Sequence, residues 1–225
     1  YFALVNRAKV ELGAPLIQYR RVLGVLPAVS QPGLAVHAAE LRRVFVTLSG
    51  EDAVALFDDA TAARIATLAV GGSPYGLAYD PVRSRIYTAD RGTRTVTVLD
   101  ATSGARLNQI PLDCTPYQVA ANPNSGRFFV ACADDRQLHI FDGDTYLWLA
   151  WLPLGAGASE GLALNAATNR LYASNWQDGT LSVFQDKGPT TPPTPAPTPT
   201  PGPTATPTST PTRTPTPLPT ATPTV

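Results

Sequence analysis

The sequence predicts an all-β fold: a β-propeller of four-stranded antiparallel blades, followed by a disordered tail rich in proline and threonine. Three observations predict it. A pattern recurs at steps of 42, 42 and 43 residues, each repeat holds four short runs rich in β-branched and aromatic residues, and the last segment is almost entirely Pro and Thr. Repeats of about 40–45 residues with four strands each are typical of propeller blades.

Three separate segments keep the same register in every repeat. The first reads Arg43-Val-Phe-Val, Arg85-Ile-Tyr-Thr, Arg127-Phe-Phe-Val and Arg170-Leu-Tyr-Ala. The second reads Val54-Ala-Leu-Phe-Asp58, Val96-Thr-Val-Leu-Asp100, Leu138-His-Ile-Phe-Asp142 and Leu181-Ser-Val-Phe-Gln185. The third reads Gly33-Leu-Ala, Gly76-Leu-Ala, Gln118-Val-Ala and Gly161-Leu-Ala. Turn-forming residues such as Asp80-Pro81 separate the runs, which therefore indicate short antiparallel strands.

Side-chain size along the first two strands of each repeat supports a radial arrangement. The first strand carries a small residue at one position, namely Ala35, Ala78, Ala120 and Ala163. The second strand carries an aromatic residue, namely Phe45, Tyr87, Phe129 and Tyr172. Small residues suit inner strands, which converge on the central channel, and aromatic rings can fill the space between neighbouring blades.

An aspartate recurs at the end of the third strand, as Asp58, Asp100 and Asp142, and Gln185 replaces it in the last repeat. Carboxylates in this number would also suit catalysis or calcium binding. Their period favours a structural role, because an aspartate at this place accepts hydrogen bonds from the backbone amides of the following turn.

The second repeat carries a resemblance to a known family. It contains Pro74-Tyr-Gly-Leu-Ala-Tyr-Asp-Pro, Arg85-Ile-Tyr-Thr-Ala-Asp90, Thr95-Val-Thr-Val-Leu-Asp100, Arg106 and Ile110-Pro-Leu112. These residues resemble the YVTN family of propeller repeats, which is similar to YncE-like and surface-layer propellers of bacteria and archaea. The name tetrad is degraded here, and Tyr172-Ala-Ser-Asn175 is its nearest match. The resemblance covers about residues 22–184 and implies the fold more than a function, because the motifs are structural.

The repeat predicts the domain boundaries. Residues 22–186 are expected to be blades: three complete repeats at about 33–70, 76–112 and 118–154, and a fourth, 161–184, with three strands. Residues 22–28 match the outermost strand of a blade, whereas residues 1–21 fit the register poorly, as a degenerate preceding blade would. We expect part of a larger propeller. A closed four-bladed ring is the alternative.

Residues 187–225 form the expected tail, in which Arg213 is the only charge after Gly188. Such a segment cannot bury enough apolar surface to fold, and it favours extended polyproline II. We predict an O-glycosylated stalk that holds the propeller away from a cell envelope, with an unmodified linker as the alternative. An exported protein, extracellular or associated with the envelope, is therefore expected, although no segment resembles a signal peptide.

Charge and hydropathy exclude several classes of partner. The 17 basic and 17 acidic residues leave no net charge, which argues against non-specific binding to nucleic acid or anionic membranes. No apolar stretch is long enough for a transmembrane helix, so direct membrane insertion is not expected. We expect a monomer.

The best candidate for a binding surface is the rim that carries two kinds of loop: those between second and third strands, and those from each outer strand to the next inner strand. The candidate residues are Asp52, Tyr75, Asp90, Arg91, Arg94, Tyr117, Asp134, Asp135, Arg136, Trp176 and Asp178. Mixed charges with exposed aromatic residues suit a protein or glycan ligand, and loops on rigid scaffolds often bind. Loops that are only solvated are the alternative.

Cys114 and Cys132 should lie at the same rim of one blade, because one precedes an inner strand and the other ends its antiparallel neighbour. A disulfide between them would suit an exported protein, and two buried free thiols are the alternative. His37 and His139 lie in different blades at different strand positions. They are expected to be ordinary strand or surface residues, so neither a metal nor a cofactor is predicted.

The function predicted from these features is a non-enzymatic binding scaffold at the cell surface or in the periplasm. The inner strands offer few groups for catalysis beyond Asp80 and Asn165. One alternative is a lactonase or lyase, since similar propellers host these activities, with its site partly in missing blades. Another is a passive structural component of the envelope. Fold alone does not separate them.

Overall fold

The computed structural model describes residues 31–155 and 159–188, which form fifteen strands and one short helical turn. The first eight strands are β1 Pro32–Ala38, β2 Arg43–Leu48, β3 Ala53–Asp58, β4 Arg64–Ala69, β5 Pro74–Asp80, β6 Arg85–Asp90, β7 Thr95–Asp100 and β8 Arg106–Pro111. The others are β9 Pro116–Asn122, β10 Arg127–Cys132, β11 Gln137–Asp142, β12 Trp148–Pro153, β13 Ser159–Asn165, β14 Arg170–Asn175 and β15 Thr180–Gln185. The prediction of an all-β fold is confirmed.

The strands form separate antiparallel sheets in chain order, one for each sequence repeat. Blade 1 is β1–β4, blade 2 is β5–β8, blade 3 is β9–β12, and blade 4 has the three strands β13–β15. The three complete repeats and the three-stranded fourth are thus confirmed. The predictions for residues 1–21, for an outermost strand at 22–28 and for the tail after residue 188 lie outside the described residues.

The hydrophobic core lies between the blades, as the aromatic pattern predicted. Phe45 of blade 1 belongs to one buried cluster with Ile86 and Leu99 of blade 2. A second cluster joins blades 2 and 3, and in it the buried Tyr87 ring lies 4.5 Å from Phe128, centroid to centroid. A third cluster joins blades 3 and 4 and includes Phe129, Leu138 and Leu171. Each blade therefore buries its apolar faces against its neighbours.

The inner strands contact one another in sequence, β1 with β5, β5 with β9 and β9 with β13. Gly76 in β5 shows how close the approach is. A Cβ atom added there would lie 2.7 Å from the carbonyl oxygen of Tyr117 and 2.8 Å from the Cα atom of Gln118, both in β9. Only a glycine fits between the two backbones at this position.

The recurring aspartates at the ends of the third strands support the turns that follow, as predicted. Asp142 accepts hydrogen bonds from the amides of Asp144 (3.0 Å) and Thr145 (2.8 Å). Asp58 and Asp100 bind the equivalent amides of their own turns. In Asp142, burial opposes ionisation but the hydrogen bonds from Thr145 outweigh it, so its pKa lies below the ordinary value.

In blades 1 to 3 the arginine that opens the second strand reaches into the following blade, and we call these contacts the arginine clamps. The pairs are Arg43 with the carbonyl of Ala101 (2.8 Å), Arg85 with the carbonyl of Gly143, and Arg127 with the carboxylate of Asp186 (2.9 Å). The three acceptors hold the same place, directly after the third strand. In blade 4, Arg170 instead contacts Gln185 of its own blade at 3.4 Å. In the first three repeats the recurring arginine is thus an inter-blade contact.

One helical element occurs in the described residues, the 3-10 turn Ala39–Leu41 between β1 and β2. Sequence analysis predicted no helix here. The turn ends at Arg42, whose φ of 52° is left-handed and whose amide donates to the carbonyl of Ala39 at 3.1 Å. The turn lies in the loop between two paired strands and leaves the four-stranded sheet of blade 1 intact. Within the described residues no helix is long and apolar enough to cross a membrane.

Candidate functional site

The loops of the predicted binding rim lie at one end of the blades, and we call this end the upper rim. It contains the loops between second and third strands, at 49–52, 91–94, 133–136 and 176–179. It also contains the connections from outer to next inner strand, at 70–73 and 112–115. Because strands alternate in direction within a blade, both kinds of loop come to the same end.

Tyr75, Arg91 and Tyr117 form a cluster that joins blades 2 and 3 at the upper rim. The two tyrosine rings are 4.9 Å apart between centroids and tilted by 55°. The Arg91 guanidinium carbon lies 4.5 Å from the Tyr117 centroid and 5.5 Å from the Tyr75 centroid. All three side chains are partly buried, and Arg91 Nε has no hydrogen-bond partner within the described part of the chain. A cation held on two aromatic faces is a rigid, amphipathic surface.

Asp134 links three loops of the same rim. Its carboxylate accepts hydrogen bonds from the Thr115 amide (2.8 Å) and hydroxyl (2.9 Å), and it lies 3.3 Å from Arg94 of blade 2. Partial burial opposes its ionisation, but the hydrogen bonds from Thr115 outweigh that effect and hold the pKa of Asp134 below its ordinary value. Asp52 plays a similar part in blade 1, where it accepts a hydrogen bond from the Ser73 amide at 2.7 Å.

Asp90 does not belong to the exposed surface, which corrects the sequence-based prediction. Its side chain is fully buried and accepts hydrogen bonds from the hydroxyls of Thr88 (2.7 Å), Thr95 (3.1 Å) and Thr97 (2.6 Å). Burial raises its pKa above the ordinary value, and these hydrogen bonds offset only part of the rise. Asp90 is therefore a structural link inside blade 2.

Three further candidates lie on the upper-rim loops of blades 3 and 4. Arg136 is exposed, and its backbone is in the left-handed region with φ of 56°. Its carbonyl accepts a hydrogen bond from the Leu154 amide. Trp176 of blade 4 is 59% exposed. Asp178 is exposed in the same loop as Trp176.

Cys114 and Cys132 form a disulfide in the structure, with Cα atoms 5.8 Å apart. It ties the connection that enters blade 3 to the end of β10. His139 of β11 lies beside it, and its Nε2 atom is 2.8 Å from the Asp135 carboxylate. Together the four residues have the donor types of a metal site, within 4.8 Å of one another. His37, by contrast, pairs with Asp59 at 2.9 Å on an exposed part of blade 1.

Sequence reasoning missed the neighbourhood of His139. A cavity of about 360 Å³ borders it and is lined also by Pro111, Leu112, Asp113, Phe141 and Trp148. The repeat register held the signal, because His139 occupies the position of Thr97, and Cys132 that of Asp90. Comparing the blades position by position would have placed the histidine and the cysteine diagonally across β10 and β11, on the same face of the sheet.

The comparisons with known proteins identify the fold. No family model matches the chain, and no curated protein matches it either. Among solved structures it is similar to Kuenenia stuttgartiensis hydrazine synthase, with a TM-score of 0.60 and 14% identity over 74% of this chain and 54% of that one. It is also similar to a chain of a mitotic checkpoint complex, with a TM-score of 0.66 and 15% identity over 73% of this chain and 52% of that one.

The chain thus spans about half the length of each of these two structures. Both are β-propeller proteins, and 1351 chains match in all, so the likeness shows an architecture and leaves the function open. The chain is a β-propeller.

Proposed function

We propose that this propeller is a non-enzymatic scaffold that binds a protein ligand on its upper rim. The observation that carries the proposal is the Tyr75–Arg91–Tyr117 cluster, in which a guanidinium lies over two tyrosine rings from adjacent blades. Tyrosine and arginine are enriched among the residues that dominate protein–protein binding energy. Their fixed positions reduce the entropy lost when a ligand binds.

Charges around the cluster favour a ligand with its own mixed charges. Arg94 and Asp134 are 56% and 41% exposed in their side chains and lie on neighbouring loops. Such rim charges contribute more to orientation and association rate than to affinity. A glycan ligand is the second form of this proposal, because sugar rings also stack on exposed aromatic residues such as Trp176.

The finer parts of the proposal concern family and location. We propose that the blades are YVTN-type repeats, on the resemblance of Arg85-Ile-Tyr-Thr-Ala-Asp90 and its neighbours. We also propose that the protein is exported and works at the cell envelope as a monomer. Two features support export: the disulfide between Cys114 and Cys132, and the Pro/Thr-rich composition after Gly188.

A two-arm binding screen tests the function. The full chain is measured against immobilised envelope proteins and against an oligosaccharide array, with Arg91→Ala and Tyr117→Ala beside the wild type. We expect at least one envelope protein to bind and each variant to lose at least about tenfold in affinity, as for a residue at the centre of an interface. Arg106→Ala, on the exposed outer strand of the same blade, is the matched control and should change little.

The other outcomes separate the alternatives. Binding confined to the oligosaccharides would replace the protein ligand by a glycan. A chain that binds neither set would support the passive structural component. Turnover of a panel of lactones by the oxidised protein with calcium would support the enzyme and contradict the scaffold.

A further inference from the structure

Four metal-ligand side chains meet at the upper-rim end of blade 3, outside the tyrosine cluster. Cys114, Cys132, Asp135 and His139 each offer one donor atom, and these atoms all lie within 4.8 Å of one another. Two sulfurs, an imidazole nitrogen and a carboxylate oxygen are donors that zinc takes in tetrahedral sites. Four donors complete such a site.

The repeat explains why two of these side chains face each other. In blade 2, Thr97 donates a hydrogen bond to Asp90 at 2.6 Å, and in blade 4, Asn175 donates one to Ser182 at 2.9 Å. Cys132 and His139 hold these same two strand positions in blade 3. The sheet itself therefore brings the cysteine and the histidine together, and no loop movement is needed to do so.

Burial and access also suit a metal. Cys114 and Cys132 are 2% and 0% exposed, whereas the side chains of His139 and Asp135 are 16% and 29% exposed. The cavity of about 360 Å³ reaches His139 from the side of Asp113 and Trp148. The soft sulfur donors are thus shielded, while His139 lines the cavity and the Asp135 carboxylate is partly exposed.

We propose that the reduced protein binds one zinc ion through Cys114, Cys132, His139 and Asp135, and that this metal state and the disulfide exclude each other. A metal needs thiolates, which the disulfide does not supply. This inference is independent of the proposed ligand of the upper rim.

The disulfide state and the zinc state interconvert by reduction followed by metal binding. A dithiol reductant gives two electrons and two protons to the disulfide, which opens to two thiols, and the reductant becomes a disulfide. Zinc then displaces both thiol protons. The two thiolates and one carboxylate carry three negative charges against two positive ones. The sulfurs would move to about 3.8 Å apart in a tetrahedral site, which is within the span of the cluster.

The state of the site depends on the redox poise around the protein. An oxidising compartment favours the disulfide, and a reducing one favours the thiolates and zinc. In the oxidised state the disulfide holds Cys132, which precedes the loop at 133–136. In the zinc state Asp135 of this loop is a ligand of the metal.

A metal titration of the full chain tests the proposal. The protein is unfolded with a dithiol and a chelator, refolded, freed of both and titrated with zinc or with cobalt as a spectroscopic probe. We expect one metal per reduced chain, thiolate-to-cobalt charge transfer and the visible bands of tetrahedral cobalt. The oxidised chain should bind none at this site. The assignment is direct, because the whole sequence holds two cysteines and two histidines.

His139→Thr tests the histidine without changing the fold, since threonine stands at the same position in blade 2. It should weaken zinc binding at least about tenfold. His37→Thr removes a histidine–carboxylate pair of similar length in blade 1 and should leave zinc binding unchanged. A reduced chain without stoichiometric metal, an oxidised chain that binds as well, or a His139→Thr chain with unchanged affinity would each overturn the proposal. If His139→Thr folds poorly, the cobalt spectrum of the wild type still decides it, because a site without tetrahedral thiolate bands is not the one proposed.

Discussion

Blades 2 and 3 have the same strands in the same register, yet different chemistry joins their strands at the upper rim. In blade 2 the buried Asp90 accepts hydrogen bonds from Thr95 (3.1 Å) and Thr97 (2.6 Å). In blade 3 the equivalent residue, Cys132, is bonded to Cys114 and lies beside His139. The fold therefore requires a link between the strand ends at the upper rim, but more than one kind of link can serve.

The connection that enters the blade decides which link fits. A Cβ atom at Gly71, before blade 2, would lie 2.5 Å from the Asp90 carboxylate, and one at Gly155, before blade 4, would lie 2.5 Å from the Asn175 amide. The equivalent residue before blade 3 is Asp113, which is too large and too polar for that contact. The next residue, Cys114, makes the link through its disulfide instead.

Removing the disulfide should produce the largest effect. Cys114→Ala with Cys132→Ala opens a loop whose ends are 18 residues apart, and we expect the free energy of unfolding of the oxidised protein to fall by about 3 kcal/mol. Urea denaturation measures it. Transplanting the blade 2 set, as Asp113→Gly, Cys114→Gly, Val130→Thr, Cys132→Asp, Gln137→Thr and His139→Thr, should recover at least about 1 kcal/mol of the loss. A transplant no more stable than the double alanine variant would contradict the equivalence of the two links.

Removing the carboxylate of blade 2 should cost somewhat less. Asp90→Ala leaves the buried hydroxyls of Thr88 and Thr97 and the partly buried hydroxyl of Thr95 without this acceptor, and we expect a loss of about 2 kcal/mol in the free energy of unfolding. Asp90→Asn is the matched control, because Asn175 serves at this position in blade 4, and it should cost less than about 1 kcal/mol. Equal losses in the two variants would show that a charge is required there, against the comparison.

The arginine clamps lie at the end of the blades opposite the upper rim, where the same kind of contact recurs from blade to blade. They offer a test of a link that does not vary. Arg127→Ala removes a clamp to Asp186, whose side chain is 2% exposed, and should lower the free energy of unfolding by about 1.5 kcal/mol. Arg170→Ala breaks only a 3.4 Å contact inside blade 4 and should cost less than about 0.5 kcal/mol. Urea titration of both variants checks this, and a larger loss for Arg170→Ala would contradict the assignment of the clamps.

The smallest expected effect is in the pH dependence of stability. The folded-state pKa of Asp90 is raised from 3.8, so its contribution to stability is full below that value and is lost as pH rises through the folded pKa. Asp142 has a lowered pKa, so its contribution is present above 3.8 and is lost as pH falls. The free energy of unfolding of the wild type minus that of Asp90→Asn should therefore decline with rising pH. The same difference for Asp142→Asn should increase with rising pH. If both differences changed with pH in the same direction, the opposite pKa shifts of Asp90 and Asp142 would be contradicted.

Much of the fold was predictable because it follows from a repeated local pattern. The register of Arg43, Arg85, Arg127 and Arg170 predicted the blades, and the period of Asp58, Asp100 and Asp142 predicted their turns. These features depend on residues near one another in sequence. The arginine clamps themselves were not predicted, since their partners lie about 60 residues ahead, in the next blade.

The candidate site was less predictable, because its burial is decided by other loops. Asp90 ends a strand next to a rim loop, and only the close passage of Gly71 explains why it is buried. Arg91, its neighbour, instead turns to two tyrosines of different blades. His139 was interpreted as an ordinary strand residue, although its strand position makes it a diagonal neighbour of Cys132 on the same face of the sheet.

All three arginine clamps reach forward along the chain, each from one blade to the next. Such bonds couple nearest neighbours only, so cutting one loosens a single junction and leaves the others as they were. Hydrogen exchange would then reveal fraying that starts at the cut junction rather than a uniform loss of protection. Each clamp therefore fastens one blade to the blade that follows it along the chain.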